Sequence, residues 1–491
     1  MPERAADLAP ENISTLDRLV RSIDMAEGFA LFIARCNVPV LRNDLILTAR
    51  QQLAALGVAV VEVAFEDRPV NVRERVAAAL AAADVPGTSE SAWHVTAPKR
   101  AIFVTGLELG IPYDQPNSRV LAELNLGRDA FLRDAPHPLV LWLPDYAVTA
   151  VARFAPDFWA WRSGVFEFEA DAVERRVAIE HFTGNRPWHT LTNLSPEVRL
   201  LRRRQLESLL DDYRDLPDEP RAIGERAVIL IKLGEICAAS QDHKKAAAYY
   251  EQALSLVYQL NGQRSKAVTL TLNNLGLVYS ALGEKHKALG FYEQALPLQR
   301  QVGDRGGEAA TRNNIGMVYD ALDEQRKALE IYEQALLLSR QVGDRGGEAT
   351  TLNNIGFVHD TLGEQHKALD FYEQALLLSR QVGDRGGEAA TLNNIGLVYH
   401  TLGEKRKALD FYEKALSLNQ QVGDRWGESI TRYNMVMVYE DLGDLAQAEE
   451  QLVLVVALDE AVGHPDLANH RAALERVQAQ RRAAPGQRAS A

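Results

Sequence analysis

The sequence contains very little cysteine. Cys36 and Cys237 are the only two among 491 residues, and they lie far apart in the chain. Two distant cysteines exclude a disulfide framework and a zinc site built on cysteine pairs. Because chains without disulfides are typical of reducing compartments, we expect a cytoplasmic protein.

Long apolar runs and an excess of positive charge are lacking as well. No stretch approaches the roughly 18 apolar residues that span a bilayer, and the N-terminus does not read as a targeting segment. The formal net charge of −13 argues against a non-specific nucleic-acid binder and against an anionic membrane partner. With 46% hydrophobic and 25% charged residues, the chain is of globular type, and its length predicts two or three domains.

Catalytic and metal-binding motifs are absent from the sequence. There is no G-x-S-x-G, no H-E-x-x-H and no cysteine pair, and His137, His181 and His189 lack metal-ligand spacing. We therefore expect a protein that is not an enzyme, without catalytic residues, cofactor or metal. Cys36 follows a predicted strand and is either a nucleophile or a buried thiol; we favour the thiol because no histidine lies near it in sequence.

What the sequence does contain is repetition with a period of 40 residues. The decapeptide RQVGDRGGEA occurs at 300–309, 340–349 and 380–389, and a variant, QQVGDRWGES, occupies 420–429. Each period also carries two stretches with apolar residues at helix spacing. The pattern predicts a helical hairpin that needs a neighbour to cover its apolar face.

The hairpin pattern resembles the tetratricopeptide repeat. The matching residues of one copy are Leu275, Gly276, Tyr279, Gly283, Ala288, Tyr292 and Ala295. A diverged earlier copy begins near Leu233-Gly234, and the last copy has Val436 in place of the glycine. We count five repeats over about 227–462, followed by a capping helix near 466–480. The long unit with its GDR loop is similar to cell-polarity adaptors and kinesin-light-chain-like arrays.

The resemblance implies a superhelix whose first helices line a concave groove that holds an extended peptide. A carboxamide both donates and accepts, so paired asparagines suit the grip on a peptide backbone. The expected partner-binding residues are Asn274, Asn314, Asn354, Asn394 and Asn434, the preceding Asn313, Asn353 and Asn393, and the side-chain readers Phe357, Asp320, Asp360 and His400. The alternative is that the asparagines only satisfy loop backbone groups.

Two copies sharpen this hypothesis by their differences. Segments 341–380 and 381–420 differ at ten positions, which include Phe357 against Leu397 and Asp360 against His400. The asparagines are the same in both. A peptide-binding groove needs constant residues that bind the peptide backbone and variable residues that contact its side chains. Recent duplication is the alternative explanation for the near-identity of the two copies.

The decapeptide itself reads as the joint between hairpins. Gly303 suits the position that ends a helix with positive φ, and Asp304 suits an N-cap. The following Gly306-Gly307 pair indicates a close backbone approach or a soft joint. The arginines of the joint recur every 40 residues, at Arg305, Arg345, Arg385 and Arg425. They meet either carboxylates of a partner, which would then be acidic, or glutamates of neighbouring loops.

The N-terminal half predicts an α/β domain. Apolar runs of strand length lie at 28–37, 58–65, 100–111 and 138–144, a fifth strand is expected at 164–169, and helical stretches lie between them. Such alternation indicates a mainly parallel sheet with helices on both faces.

An α/β domain ahead of such an array is similar to the nucleotide-switched STAND class, built on a P-loop core. A P-loop needs G-x-x-x-x-G-K-[ST] after the first strand, whereas this chain reads CNVPVLRNDL, and near the third strand only Glu108 is acidic. The resemblance therefore implies a degenerate core that has lost hydrolysis; a nucleotide-binding switch is the alternative.

The remaining segments complete the expected domain organisation. We expect an α/β domain over 1–190, a helical connector and hinge over 191–226, the array over 227–480 and a disordered tail over 481–491. The aromatic block 155–168 is either an exposed patch or, as we favour, core. The connector helix near 198–213 carries a basic run that reads as a solvated face.

Taken together, the sequence favours a non-catalytic adaptor or sensor of a bacterial signalling or defence system. Its array is expected to bind a protein or an extended peptide, with no nucleic acid and no membrane as partner. An effector enzyme of unknown chemistry, regulated by the array, is a further alternative.

Overall fold

The structure is a computed structural model that describes residues 8–66, 69–83, 99–111, 118–183, 191–213, 216–261 and 265–483. The chain forms two compact units. The first comprises Met1–Gly184 and Leu201–Asp218, and the second comprises Asn185–Leu200 and Glu219–Ala491. None of the described helices has the length and apolar character needed to cross a membrane. The last residues, 484–491, lie outside the described chain.

The first unit contains a parallel sheet of five strands, as the sequence predicts. Its strands are β1 (Ala30–Arg35), β2 (Val58–Ala64), β3 (Lys99–Thr105), β4 (Pro138–Leu143) and β5 (Arg162–Glu167). Their order across the sheet is β2-β3-β4-β1-β5. The registers pair Ile33 with Leu141 and Val104 with Leu141, so β4 lies between β1 and β3 in the centre. Every residue of β4 is buried, which is typical of a strand covered on both faces.

Helices cover both faces of this sheet. The helices are α1 (Pro10–Met25), α2 (Pro39–Ala55), α3 (Val72–Ala83), α4 (Arg119–Leu126), α5 (Arg128–Asp134), α6 (Asp145–Phe154), α7 (Pro156–Trp159) and α8 (Ala172–Thr183). Helices α1 and α8 pack on α2, whereas α4 contacts α3, α5, α6 and α7. The second group forms one apolar core with the sheet, and Phe131 and Phe158 are fully buried in it.

Two expectations about this part of the chain have clear outcomes. In the aromatic block, Phe158 and Phe166 are buried, so the core interpretation is confirmed for them. The connector forms α9 (Pro196–Asp211), but its basic run is not a solvated face. Arg199 and Arg204 are buried. Their guanidinium groups donate hydrogen bonds to the backbone carbonyl oxygens of Thr192 and Ile111, respectively.

The second unit is a run of antiparallel helical hairpins. Its helices are α10 (Pro220–Ala239), α11 (His243–Asn261), α12 (Lys266–Ala281), α13 (Lys285–Gln301), α14 (Arg305–Ala321), α15 (Gln325–Val342), α16 (Arg345–Thr361), α17 (Gln365–Val382), α18 (Arg385–Thr401), α19 (Lys405–Val422), α20 (Arg425–Leu442), α21 (Leu445–Val462) and the capping helix α22 (Leu467–Ala483). Each hairpin packs on the next through its apolar face.

The described chain thus has six hairpins before the capping helix, so the count of five from the sequence is wrong. The diverged copy α10–α11 forms a complete hairpin because it keeps the central contact of the others. In that contact, a first-helix glycine lies against a second-helix tyrosine. A Cβ atom at Gly234 would stand 2.5 Å from the Tyr250 ring, and one at Gly276 would stand 2.4 Å from the Tyr292 ring. Only glycine permits this approach.

The joints between hairpins have the predicted geometry. Val302 is the C-cap of α13, and Gly303 follows with φ +71°. Asp304 caps α14, since its Oδ1 accepts a hydrogen bond from the Gly307 amide at 3.0 Å. A Cβ at Gly307 would stand 2.4 Å from Oδ2 of that carboxylate, whereas nothing lies within 4 Å of a Cβ at Gly306. Close approach therefore explains the second glycine only.

Candidate functional site

The first helices of the hairpins form the inner side of the array. Contacts join α12 to α14, α14 to α16, α16 to α18 and α18 to α20, while the second helices make fewer contacts with one another. The side on which successive helices lie closer together is the inner side of a curved stack. The asparagines, Phe357, Asp320, Asp360 and His400 all belong to these first helices.

The asparagines form a ladder along the first helices. The Nδ2 of Asn354 donates to Oδ1 of Asn313, and the same bond joins Asn394 to Asn353 and Asn434 to Asn393, each at 3.1 Å. At the start of the ladder, Asn273 instead accepts a hydrogen bond from Thr311 at 2.8 Å. The side-chain oxygen of the first asparagine in a pair thus accepts a hydrogen bond from the next hairpin. The second uses one amide hydrogen, and its oxygen takes no part in the ladder.

A row of apolar side chains lies one helical turn beyond the second asparagines. Leu277, Met317, Phe357 and Met437 are 45%, 47%, 45% and 41% exposed. One turn further come Asp320 and Asp360, and partial burial raises the pKa of both carboxyl groups. His400 occupies the same position in the next copy and pairs through Nε2 with Asp441 at 2.8 Å.

The arginines of the joints bind groups of the array itself. Arg345 Nη1 donates to Glu348 Oε2 at 3.1 Å, and Arg305 lies 3.7 Å from Glu308. Arg385 donates to Gln421 at 2.7 Å. Both glutamates belong to the same joint as the arginine and not to a neighbouring loop, while Arg425 begins α20 and is exposed.

The buried glutamates are the centre of these joints. Burial alone would raise the pKa of Glu308, but hydrogen bonds from Arg300 and Arg312, at 2.7 and 2.6 Å, leave it below its ordinary value. The carboxylate is therefore charged and fixes the joint. Arg305, at 3.7 Å, lies farther from the Glu308 carboxylate than Arg300 and Arg312 do.

A cavity of about 660 Å³ opens within the second unit. It is lined by first-helix residues of the first two hairpins, among them Lys232, Glu235, Asn274 and Leu277, together with Thr192 and with Asp424 and Trp426 of the last hairpin. No pattern in the sequence indicated Thr192. Trp426, in contrast, was visible as the tryptophan that replaces glycine in the fourth decapeptide copy.

Polar groups at the carboxyl edge of the sheet in the first unit bind one another. The crossovers from β1 and β4 run in opposite directions, and the crevice between two such strands is where open α/β sheets bind ligands. Here Asn37 accepts hydrogen bonds from the Asp145 amide at 2.9 Å and from Ser208 at 2.6 Å, and it donates to Asp212 at 2.7 Å. Burial raises the pKa of Asp212 to about 6.

The two other residues singled out in this unit also have internal partners. Glu108 pairs with Arg42 at 2.7 Å, and both side chains are largely buried. The Cys36 thiol donates to the Val38 carbonyl oxygen, and burial raises its pKa to about 12. A thiol with this pKa stays protonated at neutral pH, so the structure favours the buried thiol over the nucleophile.

Comparison with protein families agrees with the hairpin geometry. The tetratricopeptide repeat model matches residues 225–301, 268–341, 308–381 and 347–421. Residues 225–421 of the chain therefore contain tetratricopeptide repeats, and they follow the α/β unit in the sequence. No curated protein matches the sequence.

Three solved structures are similar to this chain at low sequence identity. BtubC (BKLC) from P. vanneervenii is 22% identical, with a TM-score of 0.38 over 51% of this chain and 96% of that one. RapI in its apo form is 17% identical, with a TM-score of 0.42 over 53% and 94%. NprR in complex with its cognate peptide NprX is 17% identical, with a TM-score of 0.43 over 67% and 94%.

Proposed function

We propose that the array binds an extended peptide, or an extended segment of a partner protein, along its first helices, and that the protein acts as a non-catalytic adaptor or sensor. The observation that supports this most is the row of half-exposed apolar side chains beside the asparagine ladder. Large apolar groups that recur at one position of the first helices form a surface on which apolar side chains of a peptide can pack.

The ladder and the apolar row have complementary roles in this proposal. Asn354 and Asn394 use one amide hydrogen in the ladder, which leaves an oxygen for a peptide N–H group. The apolar row holds side chains of the peptide, and it varies from Met317 to Phe357 along the array. The backbone grip is thus uniform, whereas selectivity comes from the row.

The array presents both positive and negative side chains that bear on the charge of the partner. Arg305 and Arg345 are about 60% and 58% exposed but lie beside glutamates of their own joints. An acidic peptide would have to compete with those glutamates. Asp320 and Asp360 on the first helices favour a basic group instead, because a cation would stabilise their partly desolvated carboxylates.

The test replaces Asn314, Asn354 and Asn394 by alanine together. A displayed library of random peptides is selected on the wild-type chain, and the enriched peptide is then titrated by fluorescence anisotropy. Because each lost hydrogen bond costs about 1 kcal/mol, the triple variant should bind about 100-fold more weakly.

A matched control replaces Gln294, Gln334 and Gln374 by alanine. These glutamines are exposed, lie on the second helices and share the 40-residue spacing. This variant should bind within about twofold of wild type, a change below 0.5 kcal/mol. Equal affinities for the two triple variants, with circular dichroism showing both folded, contradict the groove; failure to enrich any peptide contradicts peptide binding itself.

A nucleotide-binding switch in the first unit is less favoured. The crevice where a nucleotide would bind is filled by Asn37, Ser208 and Asp212 of the chain itself. Calorimetric titration with ATP and ADP at millimolar concentration decides the matter, and saturable heat with one nucleotide per chain would restore this alternative.

A further inference from the structure

Three buried side chains with metal-binding atoms meet at the C-terminal end of the array. Asp459 lies near the end of α21, His464 lies in the following turn and His470 lies in the first turn of α22. One ring nitrogen of each histidine and one carboxylate oxygen of Asp459 all lie within 4.8 Å of one another. Asp459 is 0% exposed and each histidine 7%.

The turn that carries His464 is a further, diverged copy of the joint. Val462-Gly463 repeats Val422-Gly423, and His464 stands where the other joints have their N-cap aspartate. It keeps part of that role, since its Nδ1 accepts a hydrogen bond from the Asp466 amide at 3.1 Å. A ring that accepts at Nδ1 carries its proton on Nε2 when neutral.

The Nε2 atom of His464 is buried and has no hydrogen-bond partner within the described chain. A buried polar atom without a partner costs about 1–3 kcal/mol. The aspartate caps of the central joints have no such second ring nitrogen. The imidazole is therefore a poor choice for a cap alone, and its second nitrogen is available to a ligand.

The surroundings hold the three side chains in place. The ring of Trp426 lies 4.1 Å from that of His464, and the ring of Tyr433 lies 4.2 Å from that of His470. Ser429 donates to Asp459 Oδ1 at 2.5 Å, and the other carboxylate oxygen lies 2.6 Å from His470 Nδ1. Trp426 and Ser429 are two of the positions at which the fourth decapeptide copy departs from the others.

We propose that Asp459, His464 and His470 bind one divalent transition-metal ion, with Zn²⁺ as the best match. Two imidazoles and one carboxylate suit Zn²⁺, whereas Mg²⁺ and Ca²⁺ prefer oxygen ligands only. Three protein ligands leave a fourth position for water. The metal joins α21, the turn and α22, and thereby fixes the capping helix on the last hairpin.

Binding requires a rearrangement of hydrogen bonds in the site, because the Nδ1 atom of His470 already pairs with the Asp459 carboxylate. Each histidine coordinates through a ring nitrogen that carries no proton, so the proton of a neutral ring lies on the other nitrogen. For coordination through Nε2, the proton of His464 moves to Nδ1, which then no longer accepts the hydrogen bond from the Asp466 amide; the Asp466 carboxylate lies 3.9 Å from that atom and can accept its proton. A carboxylate behind a metal-bound histidine is a common supporting contact. Sequence spacing did not indicate this site, because the ligands come from two helices and a turn.

The experiment uses the full-length chain, stripped of metal with a chelator and dialysed. Zn²⁺ is titrated by calorimetry, and Co²⁺ is added separately as a spectroscopic probe. We expect one Zn²⁺ per chain, visible d–d absorption with Co²⁺, and a Tm that rises with Zn²⁺ concentration. Mg²⁺ should change neither signal.

The decisive variant is His464→Ser, because serine is a good N-cap residue and keeps the turn folded. Loss of a supporting contact alone lowers metal affinity about 10–100-fold, so loss of this ligand should lower it at least about 100-fold. His286→Gln, which removes an exposed histidine of the second hairpin, is the matched control and should bind like wild type.

Two results would overturn the proposal. One is wild-type protein that takes up no stoichiometric Zn²⁺ in either assay. The other is His464→Ser protein that binds Zn²⁺ as wild type does, which would assign the ion to another site. A His464→Ser variant with normal circular dichroism and a Tm in chelator no lower than that of wild type excludes misfolding as the cause of lost binding.

Discussion

In the first five hairpins a glycine of the first helix faces a tyrosine of the second, whereas in the last hairpin a valine faces a leucine. Gly356 and Tyr372 represent the first arrangement, and Val436 and Leu452 represent the second. Both members of each pair are buried. The two arrangements fill similar space, so the array tolerates changes of residue when the volume of the pair is kept.

The joints differ in the same way between the centre and the end. In the central joints Asp304, Asp344 and Asp384 cap the next helix through an amide of a glycine. At the end, His464 takes the cap position, and Trp426 and Ser429 surround the resulting cluster. The end of the array therefore contains a buried cluster of one aspartate and two histidines, whereas the central joints all repeat a single arrangement.

The largest expected effect comes from placing the terminal valine in the centre. A Cβ at Gly356 would stand 2.8 Å from the Tyr372 ring and 3.2 Å from the Ala368 carbonyl oxygen. Gly356→Val should therefore lower the free energy of unfolding by about 3 kcal/mol, the upper range for an overfilled core. Urea unfolding followed by circular dichroism measures the loss.

The matched variant adds Tyr372→Leu to Gly356→Val and thereby transfers the complete terminal pair. It should recover more than half of the lost stability, because leucine leaves the room that valine needs. A single variant as stable as wild type, or a double variant less stable than the single, shows that the two arrangements are not equivalent.

A smaller effect is expected when a central residue is placed at the end. Trp426→Gly removes the ring that lies against His464. We expect a loss of about 1–2 kcal/mol, since an aromatic contact adds to the burial of the side chain. Thermal unfolding in the presence of chelator measures it without a contribution from metal.

The reverse change, Gly386→Trp, is the control for Trp426→Gly. Within 4 Å, a Cβ at Gly386 meets only the Asp384 carboxylate, and no imidazole stands at the equivalent cap, which is Asp424. Its effect should remain within about 0.5 kcal/mol. A gain as large as the loss in Trp426→Gly would mean that the tryptophan stabilises any joint, independently of the histidines.

The smallest effect concerns two turns inside central hairpins. The sequences LDEQ at 322–325 and LGEQ at 362–365 differ at one position, where Asp323 has φ +66° and Gly363 has φ +78°. A side chain is strained in this region, so Asp323→Gly should raise the free energy of unfolding by about 0.5–1 kcal/mol. Gly363→Asp should lower it by a similar amount, and equal effects of the same sign would contradict this explanation.

The array was predictable from the sequence because its information is local and repeated. The period of 40 placed Gly303 and Asp304 at the joints, and the helix spacing of apolar residues gave the hairpins. The number of hairpins was missed by one, because the range 227–462 contains both the diverged copy α10–α11 and five copies spaced by 40 residues. The strands of the first unit were likewise visible as short apolar runs.

The sequence by itself determined the secondary structure, the stacking of hairpins and the residues of the candidate groove. Only the tertiary structure decided what those polar residues contact: Asn354 bonds to Asn313, and Arg345 bonds to Glu348. It also brought Asp459 to His464 and His470, and Asn37 to Ser208. The physical reason is that backbone pattern and helix caps depend on near neighbours in the chain, whereas buried polar contacts depend on which segments the packing brings within about 3 Å.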